Sequence, residues 1–127
     1  LEPTLKQHGV WEYFDIPKLI QDETDKVLIL IAEIKGQPVG CGFAQIKENE
    51  PYYIKPHYGY LTLIYVDESQ RGKKLGGAIL EQLVGWLHAR GIDEITLIAY
   101  ATNKGALKAY KKYGFEPYIV EMKLKTP

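Results

Sequence analysis

The sequence predicts one mixed α/β domain, a sheet with helices packed on it, and three observations carry that prediction. Short β-branched and aromatic runs recur, apolar residues change to helical spacing in two places, and clusters of glycine, proline and charge mark each change. The 127 residues fit a single domain, 1–127. Hydrophobic residues make up 46% and charged residues 25%, enough apolar matter for a core, so disordered and fibrous classes drop out.

Residues 1–25 mix apolar and charged side chains around Pro3, Gly9 and Pro17 and read as short helix and loop without a strand. Val27–Ile34 is a β-branched run, Lys35-Gly36-Gln37-Pro38 reads as a tight turn, and residues 39–46 close a hairpin. After a polar break at residues 47–51, residues 58–66 form a third strand that turns apolar on both faces near its end. Such a pattern predicts a central strand buried on both sides. Leu75, Ile79, Leu83 and Trp86 then recur at steps of four, four and three, an amphipathic helix that stops at Arg90-Gly91. Residues 95–100 are a short apolar strand. Asn103 stands where an N-cap belongs, ahead of a helix whose apolar face is Ala106, Ala109, Tyr110 and Tyr113 and whose stop is Gly114. Residues 115–125 supply one or two final strands.

Charge and composition narrow the function. The 16 basic and 16 acidic residues cancel, which argues against a nucleic-acid partner. Their distribution is uneven: residues 1–60 hold 6 basic and 9 acidic side chains (−3), residues 61–127 hold 10 and 7 (+3), so an anion favours the C-terminal half. A single cysteine forms no internal disulfide, and three histidines without clustering give no reason to expect a metal. No apolar run approaches the roughly 18 residues that span a bilayer, and Leu1 opens no signal pattern, so the expected setting is cytoplasmic, with no membrane partner.

The informative stretch is residues 61–80, where a strand, a glycine-rich basic loop and a helix start follow one another. Main-chain amides at a helix N-terminus point outward with partial positive charge and bind phosphate without side-chain help. Gly72, Gly76 and Gly77 let an anion approach the backbone, and Arg71, Lys73 and Lys74 add attraction at longer range. Neither a Gly-x-x-x-x-Gly-Lys-Ser/Thr nor a Gly-x-Gly-x-x-Gly pattern is present, and an exposed basic turn is the alternative.

These residues resemble the GNAT superfamily, the acetyl-CoA-dependent amine acetyltransferases. The superfamily pattern Gln/Arg-x-x-Gly-x-Gly/Ala aligns as Arg71-Gly72-Lys73-Lys74-Leu75-Gly76 after a strand ending in Tyr65-Val66. Lys74 takes the place of the middle glycine, where a residue about to enter a helix is expected to need no positive φ. A second match is Asn103-x-x-Ala106-x-x-x-Tyr110-x-x-x-Gly114-Phe115, and together the matches cover about half the chain, from Tyr58 onward.

The resemblance implies a mixed α/β fold with a mostly antiparallel sheet, central strands that splay apart, and helices packed on both faces. Main-chain groups of Ile64, Tyr65 and Val66 would pair with the pantetheine arm, and Arg71, Gly72, Lys73, Lys74, Leu75, Gly76 and Gly77 would hold the pyrophosphate. Asn103 would bond the pantetheine, and Tyr110 would stand beside the sulfur as the acid for the departing thiolate. Locally Asn103 also reads as an ordinary N-cap and Tyr110 as a core aromatic. The implied activity is acetyl transfer from acetyl-CoA, a co-substrate, to a primary amine of a small molecule, peptide or protein. The alternative is a CoA-binding regulatory or scaffold module without turnover, because Ile98 stands where some members place a glutamate base. Glu33, His57, Tyr58 and Tyr60 are the candidates for that role. The superfamily's first edge strand has no counterpart in this reading, so the chain reads as truncated, with the strand at Val27–Ile34 open to pair with a second copy in a homodimer.

Overall fold

A computed structural model of the protein describes residues 4–7, 25–72 and 74–126. Five strands form one sheet in chain order: β1 (Thr4–Gln7), β2 (Val27–Ile34), β3 (Gln37–Glu48), β4 (His57–Val66) and β5 (Ile95–Leu97). The first four run antiparallel, while α1 (Leu75–Ala89) carries the chain back across the sheet so that β5 lies parallel to β4. α2 (Lys104–Tyr113) follows β5. Lys35 (φ 52°) and Gly36 (φ 78°) are both left-handed, the two-residue turn whose twist matches its flanking strands, and it sets Ile34 opposite Gln37.

That register sorts the side chains. Leu28 faces Ala44, Leu30 faces Gly42 and Ala32 faces Gly40. With Leu61 these residues meet Leu75, Ile79, Leu80, Leu83 and Leu87 of α1 in one core cluster. Each fully buried leucine is worth about 2 kcal/mol of transfer energy. Glycine on the strands lets the helix lie this close: a Cβ at Gly42 would stand 2.6 Å from Ile79 Cγ2, and one at Gly59 2.6 Å from Leu87 Cδ1. The opposite face is buried as well, through Val27, Ile29, Ile31, Cys41 and Phe43. The stripe on α1 runs through Leu87 instead of Trp86, because 3.6 residues per turn carry the buried line there. Trp86 sits at the margin under the Arg90 guanidinium, 4.0 Å from the ring centroid.

Four expectations change. The N-terminal edge strand is present: Thr4–Gln7 pairs with β2, so the edge of Val27–Ile34 is covered and not open to a second copy. Four residues with one apolar position carry little pattern of their own, and the ladder is supplied by β2. The short helix read elsewhere in residues 1–25 lies outside the described residues. The apolar end of β4 is not doubly buried, since Leu63 and Tyr65 are about half exposed, at 50% and 52%. Strand β5 ends at Leu97, leaving Ile98 and Tyr100 exposed. Residues 115–126 pair with no strand among the described residues, although their sequence suits one, because a strand needs a neighbour's ladder as well as a pattern. No helix among the described residues is long and apolar enough to cross a membrane.

Candidate active site

Strand β4 pairs with β3 along its length, but with β5 only through Gly59–Ile95, Tyr60–Thr96 and Leu61–Leu97. Beyond Leu61 the pairing with β5 stops, and the outer edge of β4 has no strand neighbour among the described residues. A bulge falls at the same point: Phe43 faces Thr62 and Cys41 faces Tyr65, two steps on β3 against three on β4. Leu63 absorbs the extra residue with φ 53°, a left-handed conformation that costs a non-glycine residue about 1 kcal/mol. The Cys41 thiol donates to the Leu63 carbonyl at 3.1 Å and pins the bulge from below. Burial pushes the Cys41 thiol up to about 11, so it keeps its proton, and its donor role, at neutral pH.

The bulge decides which main-chain groups face the cleft. Asp67 N–H donates to the Val39 carbonyl at 2.7 Å, so by strand alternation Tyr65 also turns its main chain to β3, while Ile64 and Val66 turn theirs to the open edge. Tyr65 leaves its ring half exposed, 5.9 Å from the Arg71 guanidinium.

The loop after β4 is built around Asp67 and Arg71. The Asp67 carboxylate accepts from Ser69 N–H at 3.2 Å and from its hydroxyl, capping a single 3₁₀ turn at Glu68–Gln70. The same bonds hold the carboxyl below the usual aspartate range. Arg71 Nε donates to the Val66 carbonyl at 3.1 Å, which straps the loop to the end of the strand and leaves the rest of the guanidinium exposed. Gly72 has φ 80° and Lys74 φ 65°. The expectation that Lys74 needs no positive φ therefore fails. The position does require the glycine-like conformation, because the chain must reverse there to enter α1, and lysine carries a strain of about 1 kcal/mol.

That reversal aims the helix start at open space. The first bond at the start of α1 runs from Ala78 N–H to the Lys74 carbonyl at 3.2 Å, and the amides of Leu75, Gly76 and Gly77 precede it; the Lys74 side chain caps none of them. A Cβ at Gly77 would meet nothing within 4 Å, and one at Gly76 only Val66 Cγ2 at 3.7 Å. Packing within the chain does not demand a glycine at either position. Lys73 lies outside the described residues.

On the other side of the splay, Asn103 Oδ1 accepts from Ala106 N–H at 3.2 Å, so Asn103 caps α2 and keeps its amide nitrogen for a second partner. Tyr110 is half-buried on the inner side of α2, edge-on to Phe115 at 6.1 Å and 70°. It packs on the core cluster against which Ile64, Val66 and Leu97 also pack. Burial raises its hydroxyl above the usual tyrosine value, so it stays protonated and is suited to donate. No carboxylate stands on β5, and Ile98, one residue past its end, is 74% exposed.

The candidate bases do not gather at this cleft. His57 begins β4, six residues below Leu63 and therefore roughly 20 Å away along the strand; Tyr58 is its neighbour. Tyr60 carries the Lys47 ammonium 4.4 Å from its ring centroid. Glu33 pairs with Pro38 beside the β2–β3 turn. Sequence reasoning missed Cys41 and Leu63. The only trace of the first is a cysteine between two glycines, and nothing in Thr-Leu-Ile asks for positive φ.

Comparison with known proteins agrees with this geometry. The model of the acetyltransferase (GNAT) family matches residues 2–115. An uncharacterized N-acetyltransferase of Methanocaldococcus jannaschii is 32% identical over 89 residues, 68% of this chain and 38% of that protein. The chain spans 38%, 39% and 49% of the length of three curated relatives that it matches. Glucosamine-6-phosphate N-acetyltransferase from Arabidopsis thaliana superposes with a TM-score of 0.79 at 18% identity, covering 100% of both chains. An acetyltransferase from Clostridium acetobutylicum, solved with acetyl-CoA, gives 0.76 at 19% identity over 97% of this chain and 96% of its own. A family model spanning the sheet, the glycine loop and both helices settles the matter: the chain belongs to the acetyltransferase (GNAT) family.

Proposed function

We propose that the protein transfers the acetyl group of acetyl-CoA to a primary amine in the cleft between β4 and β5. The observation that carries this reading is the continuous open edge from Ile64 and Val66 to the amides of Leu75, Gly76 and Gly77. Ile64 and Val66 bond the pantetheine arm as an added strand, the α1 start with Gly72, Arg71, Lys73 and Lys74 holds the pyrophosphate, and the Asn103 amide bonds the arm from across the cleft. The Val66 amide donates to the thioester oxygen as it gains negative charge. As the amine nitrogen bonds the acetyl carbon and the C–S bond breaks, the Tyr110 hydroxyl gives its proton to the departing thiolate, and water takes the proton the amine loses.

The acceptor is a small molecule or a peptide amine, in a cytoplasmic setting, with no metal required. The net charge of −3 on residues 1–60 favours a cationic acceptor. A second reading, CoA binding without turnover, draws on the absence of a carboxylate on β5 or at Ile98 just past its end. Titration calorimetry with CoA and an assay of CoA release over a panel of amines test both. Binding with release supports acetyl transfer, binding without release on any amine favours the second reading, and no binding at millimolar CoA overturns both.

A further inference from the structure

In the ladder of β4 against β3, Thr62 and Tyr65 have partners, whereas Leu63 and Ile64 have none among the described residues. Strand pairing therefore does not set the direction of the peptide between them. In a trans peptide the carbonyl and the following N–H point opposite ways, so whatever takes the Leu63 carbonyl aims the Ile64 N–H in the other direction. What takes it is the thiol of Cys41, a buried residue of β3, at 3.1 Å. With the carbonyl drawn toward β3, the Ile64 N–H faces the open edge.

Two neighbours make Cys41 a clasp for this peptide. Burial raises the thiol, and the main-chain N–H of Tyr65, close to the same sulfur, offsets part of that rise, so one side chain engages the residues on both sides of Ile64. Gly40 admits the strand: a Cβ there would stand 3.0 Å from the Tyr65 carbonyl oxygen. Leu63 itself holds φ 53°, a conformation that a leucine leaves unless something retains it. Released, it relaxes toward an extended φ and turns the peptide over, so that a carbonyl stands where the amide stood. A carbonyl repels the ligand oxygen that an N–H binds.

We propose that Cys41 is a positioning residue for the acetyl-CoA arm: from beneath the sheet, its thiol holds the Leu63–Ile64 peptide in the orientation that offers the Ile64 N–H to the cleft. The inference rests on the acetyl-transfer reading for the identity of the ligand, and one half of its test needs no ligand. In the free protein, the three-bond HN–Hα coupling of Leu63, which is larger for extended than for left-handed residues, should rise in Cys41→Ala. Cys41→Ser, whose hydroxyl also donates, should keep it near wild type. Titration calorimetry should show Cys41→Ala binding CoA roughly 3- to 10-fold more weakly, the loss expected when one net hydrogen bond no longer biases a two-state peptide, and Cys41→Ser recovering most of it. KM for acetyl-CoA should rise with the Ala variant while kcat changes less. Ile29→Val, which removes a methyl from the same buried face outside the bulge, should lower the melting temperature and leave CoA affinity at wild type, separating positioning from stability. An unchanged Leu63 coupling in Cys41→Ala overturns the proposal whether or not CoA binds, as does a changed coupling with CoA affinity intact. A wild type that binds no CoA overturns the acetyl-transfer reading and with it the role given to the peptide, a failure told apart from the first because the coupling change persists.

Discussion

The two halves of β4 share one strand and one partner, β3, yet they are built for opposite ends. From His57 to Leu61 the strand lies between β3 and β5, with Gly59 and Leu61 pressed under Leu87 and the rest of α1. From Thr62 to Val66 it carries a left-handed leucine, an open edge and half-exposed apolar side chains. The first half is paired on both sides, packs under α1 and contributes stability. The second gives up pairing and accepts strain, which is the arrangement expected where a ligand completes the ladder. Substitutions should therefore separate into those that change stability without changing turnover and those that do the reverse.

The largest expected effect is at the open half. Tyr110→Phe keeps the packed ring and removes the hydroxyl, so kcat for acetyl transfer should fall roughly 10- to 1,000-fold while CoA affinity and melting temperature stay near wild type. A Phe variant with unchanged kcat, measured where chemistry limits the rate, would reduce Tyr110 to a core aromatic. Activity should also decline at alkaline pH, as the hydroxyl ionises above its ordinary value.

At the paired half the effect is one of stability. Gly59→Ala drives a methyl to 2.6 Å from Leu87 Cδ1 and should cost about 1 to 3 kcal/mol, lowering Tm by several degrees in calorimetry. Turnover per folded molecule should be unchanged. A variant equally stable but less active would mean that the two halves are not independent.

Cys41 joins the halves through the bulge and gives the comparison a pH signature. Its thiol is raised from 9.0 to about 11 in the folded chain, so the folded state holds the proton more tightly than the unfolded one. The resulting stability is fully present below pH 9 and is lost as pH rises toward 11, by roughly 2 to 3 kcal/mol. Urea denaturation of wild type and Cys41→Ala across that range should show the wild type losing this much more than the variant. Parallel curves would place the thiol in contact with water.

The smallest effect has the opposite sign. Lys74→Gly relieves the left-handed strain and should raise stability by about 1 kcal/mol, while weakening CoA binding and flattening its salt dependence. Loss of stability there would show that the lysine stem packs against the loop.

Much of this was legible in the chain itself. The hairpin at Lys35-Gly36, the stripe at Leu75, Ile79 and Leu83, the cap at Asn103 and the glycine-rich loop before α1 are all local matters. Their periodicity, caps and turn chemistry are set by residues within a few positions of one another. Tertiary structure alone decided the rest. The strand at Thr4–Gln7 exists because β2 offers an edge, and residues 115–126, whose own sequence suits a strand, pair with none among the described residues. The positive φ of Leu63 follows from the mismatch of β3 against β4, and the proton on Cys41 from burial beneath that mismatch. The physical division is between preferences written in neighbouring residues and pairings between distant ones: hydrogen-bond ladders and burial depend on which segments meet, and no local pattern encodes the meeting.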